Sequence, residues 1–312
     1  MVNSGRKESL HMTSEEWKQR RFENWCREIR LQSQIKNNAL KPKLNTEDVL
    51  ETADFTFSPI RPFDRVGDSG NLLLAKRKVS RREQYLVKHE FCDCAANEFI
   101  YSKLACAMEL HIPESKLFHI SEGEKRKYFK TGYTVGARYL TLSDPGPSYE
   151  LIRSSAVNWE EYFSFWALYL LFLESDSFEV VLNDENYIYR VDTTAAFHLS
   201  DWQLSKAGLD IDSPNGNIQQ LTRKMMLDSL KEDYWEYNQL EKWLADTIDK
   251  YGEESRKGFL APFYEIQGIQ ESYIDDFLNT LCYFYPDFVG DCYKQFIKAA
   301  QKKSHDFLQA VK

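Results

Sequence analysis

Several charged side chains fall in an order that a phosphate-handling site would use. Lys88 ends the apolar run Tyr85-Leu86-Val87, Glu98 follows within a helical pattern, and Glu174, Asp176 and Glu179 lie together in "LESDSFE". Asp192 then closes the short run Tyr187-Ile188-Tyr189-Arg190-Val191, and ahead of them all Gly67 and Gly70 stand in the turn-rich "RVGDSGN". Each has an ordinary explanation: a strand lysine points to solvent, a helix glutamate is solvated, and an aspartate caps a strand end. Taken in order they supply a lysine for phosphates, a glutamate to hold that lysine, glycines for close backbone approach and carboxylates for Mg2+. These are the needs of a nucleoside triphosphate such as ATP, whose phosphoryl transfer depends on positioning and charge more than on covalent help.

The elements that must hold these groups can be read from periodicity. "NLLLAKRKV" and "EQYLVKHEF" are short apolar runs that predict a hairpin, and "DCAANEFIYSKLACAMEL" has helical spacing that stops before His111-Ile112-Pro113. "KYFKTGYTVGARYL" predicts a further strand pair punctuated by Gly132 and Gly136. From Asn158 onward nearly every segment is helical except a strand pair around 179–191, and the all-round apolar "NWEEYFSFWALYLLF" predicts a buried central helix. Residues 1–50 are polar, with a helix over "TSEEWKQRRFENWCREIRLQSQI" whose apolar stripe is Trp17, Phe22, Trp25, Ile29 and Leu31. The expectation is an α+β protein in three parts: a helical extension over 1–50, a strand-rich lobe over 51–145 and a helical lobe over 146–312, with a cleft between the lobes.

Composition narrows the classes. A chain of 312 residues with 43% apolar and 14% aromatic residues is an ordered globular protein. A net charge of -8 argues against non-specific nucleic-acid binding. The start has no secretory apolar core and the longest apolar run, "FWALYLLFL", is short for a bilayer, so a soluble cytoplasmic protein without membrane contact is expected. Six scattered cysteines complete no zinc site, and the histidines at 111, 119 and 198 have no partners at ligand or triad spacing. With no G-x-S-x-G or H-E-x-x-H present, hydrolase chemistry has no support.

"YLVKHEFCDCAANEFIYSKLACAMELHIPESKLF" resembles the segment of HipA-like and phosphoinositide-kinase-like proteins in which a strand lysine precedes an Asn-Glu helix. The tail "YIDDFLNTLCYFYPDFVGDCYKQFIKAAQKKSHDFL" is similar to the closing helices of HipA-like chains, so the resemblance spans roughly residues 60–312. It implies a bilobal protein-kinase-like fold in which Lys88 meets the ATP phosphates, Glu98 pairs with Lys88, and Asp192 binds magnesium. It also implies that Gly67 to Gly70 cover the phosphates and that Val135 to Tyr139 run beside the adenine. The departure lies in the catalytic loop, where the family carries Asp-x-x-x-x-Asn. Counting back from Asp192 places Glu174 at the aspartate, as catalytic acid, and Glu179 at the asparagine, as metal ligand; the other alignment keeps Asp176 as catalytic acid but puts Val181, which ligates nothing, at the asparagine. The resemblance implies one of two functions: an ATP-dependent kinase acting on a protein Ser/Thr or another hydroxyl acceptor, or a nucleotide-binding pseudokinase scaffold that engages a protein partner through its N-terminal helix.

Overall fold

The computed structural model describes residues 46–60, 72–80, 82–88, 92–120, 133–140, 148–199, 217–284 and 289–312. The chain divides into 1–43 and 44–312, and every described element belongs to the second unit. The expected N-terminal helix lies outside the described residues, as do Gly67, Gly70 and Gly132.

The strands are β1 (Val49–Glu51), β2 (Phe55–Pro59), β3 (Leu72–Arg77), β4 (Gln84–Lys88), β5 (Ser115–His119) and β6 (Tyr133–Arg138). They form one mixed sheet in the order β1-β5-β6-β4-β3-β2. All neighbours are antiparallel except β1 and β5, which run parallel with Val49 opposite Leu117. The predicted hairpin is β3–β4, with Leu73 opposite Val87 and Ala75 opposite Tyr85. The boundary expected at residue 50 falls inside β1, whose preceding turn already carries the buried Asp48.

Of the strand pair expected from "KYFKTGYTVGARYL", the second half is β6, which pairs with β5 and β4, and residues 127–132 lie outside the described residues. Gly136, expected as a break, lies inside β6 because a Cβ there would meet Phe118 at 2.7 Å and Val87 at 2.9 Å. The glycine answers a close approach, the second of the two usual meanings of a strand glycine.

Helix α1 (Cys92–Ala107) comes after β4. It ends as a Schellman turn, with Leu110 N–H donating to Ala105 C=O, Glu109 N–H donating to Cys106 C=O and Glu109 at φ 59°. Pro113 lies just beyond, as helix ends prefer. The helical part comprises α2 (Tyr149–Ser155), α3 (Glu161–Leu171), α4 (Asn217–Lys231), α5 (Tyr234–Asn238), α6 (Leu240–Tyr251), α7 (Glu254–Glu265), α8 (Glu271–Phe284) and α9 (Gly290–Ala310). Between α3 and α4 a two-stranded hairpin, β7 (Glu179–Leu182) and β8 (Ile188–Val191), stands where the alternation placed it. No helix among the described residues is long and apolar enough to cross a membrane.

The fold is α+β, a mixed sheet with a helical part after it, but the two do not keep separate cores. Helix α1 contributes Phe99, Ile100 and Leu104 to the same cluster as Leu117 and Val135 of the sheet and Leu168, Phe263 and Phe296 of the helices. The opposite face of the sheet has its own small cluster of Phe55, Ala75, Tyr85, Val87 and Phe118. A third, of Ile152, Phe165, Val180, Leu182 and Ile188, seats the β7–β8 hairpin on α2 and α3. At roughly 25 cal/mol per Å2 of buried apolar area these clusters are the main force holding helix α1 to everything around it.

Candidate functional site

The β7–β8 hairpin owes its tight turn to Asn183, whose side-chain oxygen accepts the backbone N–H of Glu185 at 3.1 Å and of Tyr187 at 2.8 Å. A second side chain, Asn158, binds the outer edge of β8 by donating to Ile188 C=O at 3.1 Å and accepting Ile188 N–H at 2.8 Å, much as a neighbouring strand would. Thus held, β8 delivers Asp192 at its end. Asp192 has φ 57°, a left-handed conformation that aspartate tolerates better than most residues, and its carboxylate accepts the Thr194 hydroxyl at 3.0 Å.

Beyond Asp192 the backbone lies against residues 172–175. Phe197 N–H donates to Phe172 C=O at 2.6 Å, His198 N–H to Leu173 C=O at 3.2 Å, and Ser175 N–H to Ala195 C=O at 3.1 Å. Leu173, Phe197 and His198 also have positive φ. Strained backbone concentrated at one corner is held there by its surroundings, and such corners are common at functional sites.

The chemistry of this corner is dominated by Arg190. Its side chain is fully buried, and β8 alternation turns it inward beside Ile188. The guanidinium donates to the Glu174 carboxylate, to Glu179 C=O at 2.9 Å and to Val191 C=O, and lies 5.2 Å from the centre of the Phe178 ring. The Glu174 side chain is only 2% exposed. Burial raises the Glu174 carboxyl above its usual range, although Arg190 pulls it down, and the nearby charge of Asp192 adds to the rise. The buried Tyr101 hydroxyl of α1 lies beside this ion pair; burial, then the Glu174 charge, pushes it well above the usual tyrosine value. Among the described residues, Tyr101 Oη, Glu174 Oε1 and Arg190 Nε complete no hydrogen bond.

Of the other expected site residues, Lys88 is the last residue of β4, and its side chain lies outside the described residues; Gly67 and Gly70 fall between β2 and β3, also outside them. Glu98 is 8% exposed, a departure from the solvated glutamate usual on a helix. Asp176 is exposed: its carboxylate accepts the Ser177 backbone N–H at 2.7 Å, and its carbonyl accepts the Tyr169 hydroxyl at 2.8 Å. Glu179 is exposed and accepts the Ser177 hydroxyl at 2.8 Å. Val181 is buried. Val135 sits in mid-sheet against α1, and Tyr139, 45% exposed, lies where the chain leaves the sheet.

Three site residues have no counterpart among the sequence expectations. Arg190 could have been found from β8 alternation, which puts it on the same side as Ile188. Asn97 precedes Glu98 in α1, is fully buried, and donates to three carbonyls of the segment after Asp192. Tyr293 of α9 donates to Asn97 Oδ1 from 196 residues away, which no local pattern reveals.

Asp192 and the exposed Glu179, which pairs with Val191 across the hairpin, are the carboxylates that would hold a magnesium ion, which asks for one or two from a protein, the rest being water and phosphate oxygens. That donor chemistry fits, whereas Glu174 is taken by Arg190. Among the described residues no group of three or more His, Cys, Asp or Glu side chains converges as a metal cage. Comparison of the chain with protein-family models, with curated proteins and with solved structures found no match.

Proposed function

We propose that this chain is a HipA-like, kinase-like module that binds magnesium and a nucleotide at the Asp192 corner and does not use Glu174 for phosphoryl transfer. The observation that carries it is the buried Glu174–Arg190 ion pair directly behind Asp192. An acid that orients an acceptor hydroxyl must touch that hydroxyl, within about 2.6–3.2 Å. The Glu174 side chain is 2% exposed and paired with a cation through Oε2, so its carboxylate is out of reach of an acceptor hydroxyl. The glutamate at the aspartate position therefore serves as the anchor of the loop, and the module acts by holding nucleotide and partner.

Within this reading Asp192 and Glu179 would hold Mg2+, Lys88 would meet the phosphates and Glu98 would orient Lys88. When bound, magnesium would supply positive charge shared between those carboxylates and the nucleotide phosphates. The αL conformation of Asp192 turns the chain sharply at the strand end, and the Thr194 hydroxyl fixes one carboxylate oxygen.

A second reading keeps the enzyme, an ATP-dependent kinase whose acceptor is a protein Ser/Thr or another hydroxyl. It is favoured by Asp176, which is exposed two residues from Glu174 and so can reach a substrate. The two are separated by measuring Mg-ATP binding by thermal shift and phosphoryl transfer with labelled ATP, for the parent, Lys88→Ala, Asp192→Asn, Glu174→Gln and Asp176→Ala. The first expects a shift that Asp192→Asn abolishes, with no transfer above background. Transfer that Asp176→Ala removes would establish the second, and transfer lost in Glu174→Gln with the fold intact would overturn the anchoring role of Glu174.

A further inference from the structure

Helix α1 touches the Asp192 corner from both sides. Ahead of Asp192, Tyr101 lies beside Arg190 and Glu174; behind it, Asn97 Nδ2 donates to Thr194 C=O at 2.7 Å, Ala196 C=O at 2.9 Å and Leu199 C=O at 3.1 Å. An amide nitrogen has two hydrogens, so three acceptors require one to be shared. The surroundings decide which end of the side chain is which: three carbonyls can only accept, and the Tyr293 hydroxyl donates to Asn97 Oδ1 at 2.5 Å. Asn97 is fully buried, as is Tyr293, which packs its ring on Phe197 at 5.5 Å. Four hydrogen bonds through one side chain thus tie the residues after Asp192 to α1 and, through Tyr293, to α9.

We propose that Asn97 is a positioning residue for Asp192, itself held by Tyr293 of α9. This rests on the assignment of Asp192 as the magnesium-holding carboxylate. A left-handed aspartate with Phe197 and His198 at positive φ shortly after it needs restraint to stay in place. Asn97 provides it by fixing the carbonyls on the far side of the turn, while the N–H groups of Phe197 and His198 donate to the carbonyls of Phe172 and Leu173. The site therefore reaches into the closing helix of the chain, and whatever moves α9 relative to α1 alters the geometry at Asp192.

The test uses the full chain and a hydroxyl deletion that leaves the ring in place, Tyr293→Phe, with Asn97→Ala beside it. Tyr273→Phe is the control, because that hydroxyl also bonds α1, donating to Lys103 C=O at 3.1 Å, away from the corner. Two quantities are read: amide hydrogen exchange of residues 196–199 without nucleotide, and the Kd for ATP with Mg2+. Tyr293→Phe should speed exchange at 196–199 and weaken Mg-ATP binding, each by about fivefold, the weight of one ordinary buried hydrogen bond. Amides of α7 should stay as they were, and Tyr273→Phe should change neither quantity. Unchanged exchange at 196–199, or a rise of equal size in α7 and in Tyr273→Phe, overturns the proposal, since that is what a merely structural contact gives. A parent protein that binds no Mg-ATP overturns the assignment of Asp192 and with it this role; a parent that binds, matched by Tyr293→Phe, overturns the role of Asn97 alone.

Discussion

Replacing Arg190 by methionine would test the anchor most directly. Methionine keeps the stem that packs near Phe178 and removes the guanidinium, leaving the Glu174 carboxylate without its cation at 2% exposure. Breaking a buried pair from one side costs about 3–5 kcal/mol, a large part of a domain stability of about 5–15 kcal/mol. Removing both charges, as Arg190→Met with Glu174→Leu, should recover most of that loss, because well-packed apolar replacements of buried pairs are close to neutral or better. The single variant should also depend on pH. Burial already raises the Glu174 carboxyl from its usual 4.5, and without Arg190 it rises further. The folded state then binds a proton more readily than the unfolded one, so the penalty is smallest in acid and grows as pH rises from about 4.5 through the folded value. Urea unfolding monitored by tryptophan fluorescence at pH 5 and pH 8, on the parent, both singles and the double, gives the coupling energy and its pH dependence. A loss for Arg190→Met below about 1 kcal/mol that is the same at both pH values would refute the sealed ion pair.

Three further outcomes are expected. Gly136→Ala should lower stability by about 1–3 kcal/mol, since the new methyl meets the buried Phe118 and Val87; an unchanged melting temperature would show that β6 can shift to admit it. Asn158→Ala should cost on the order of 2–4 kcal/mol by leaving both backbone groups of Ile188 without partners, seen as a lower urea midpoint with an unchanged slope. Lys294 and Lys298 hold the Glu271 carboxyl down to about 2, so its contribution is present above its ordinary value near 4.5 and lost as pH falls through about 2; Glu271→Gln should make the acid limb of a circular dichroism titration shallower over that range, and superimposable limbs would count against the pairing.

Local periodicity made much of the fold legible. Leu72 to Arg77, Gln84 to Lys88, the helix through Phe99 and Leu104, and the β7–β8 alternation are all marked by their apolar residues, which each element buries in the core. What escaped was non-local. The pairing of β1 with β5 leaves no trace in either segment, and Gly136 looks like a turn until Phe118 is set beside it. The residues around Gln239 have helical spacing on both sides, yet Gln239 takes φ 45° and separates α5 from α6, and neither glycine nor asparagine stands at that position to mark the break. At the site, the acids are visible by type and place, while Arg190 and Asn97 are not, because polar residues amid apolar ones suggest solvent until their partners are known.

The parallel β1–β5 pair also bears on the order of assembly. Asp48, next to β1, bonds Lys103 of α1 at 2.5 Å and Lys116 of β5 at 3.1 Å, the latter 68 residues along the chain. Among the described strands β1 is the first to be synthesised, and its partner in the sheet, β5, must be made and must close that long loop before the two can pair. We therefore expect β1 to join after the folding barrier, with β3, β4 and α1 already in place. Leu50→Ala would then speed unfolding and leave the refolding rate unaltered, whereas slower refolding would place β1 in the nucleus. A strand made early and placed late leaves the sheet, for a time, with an open parallel edge at β5 that any extended segment of suitable pattern could occupy.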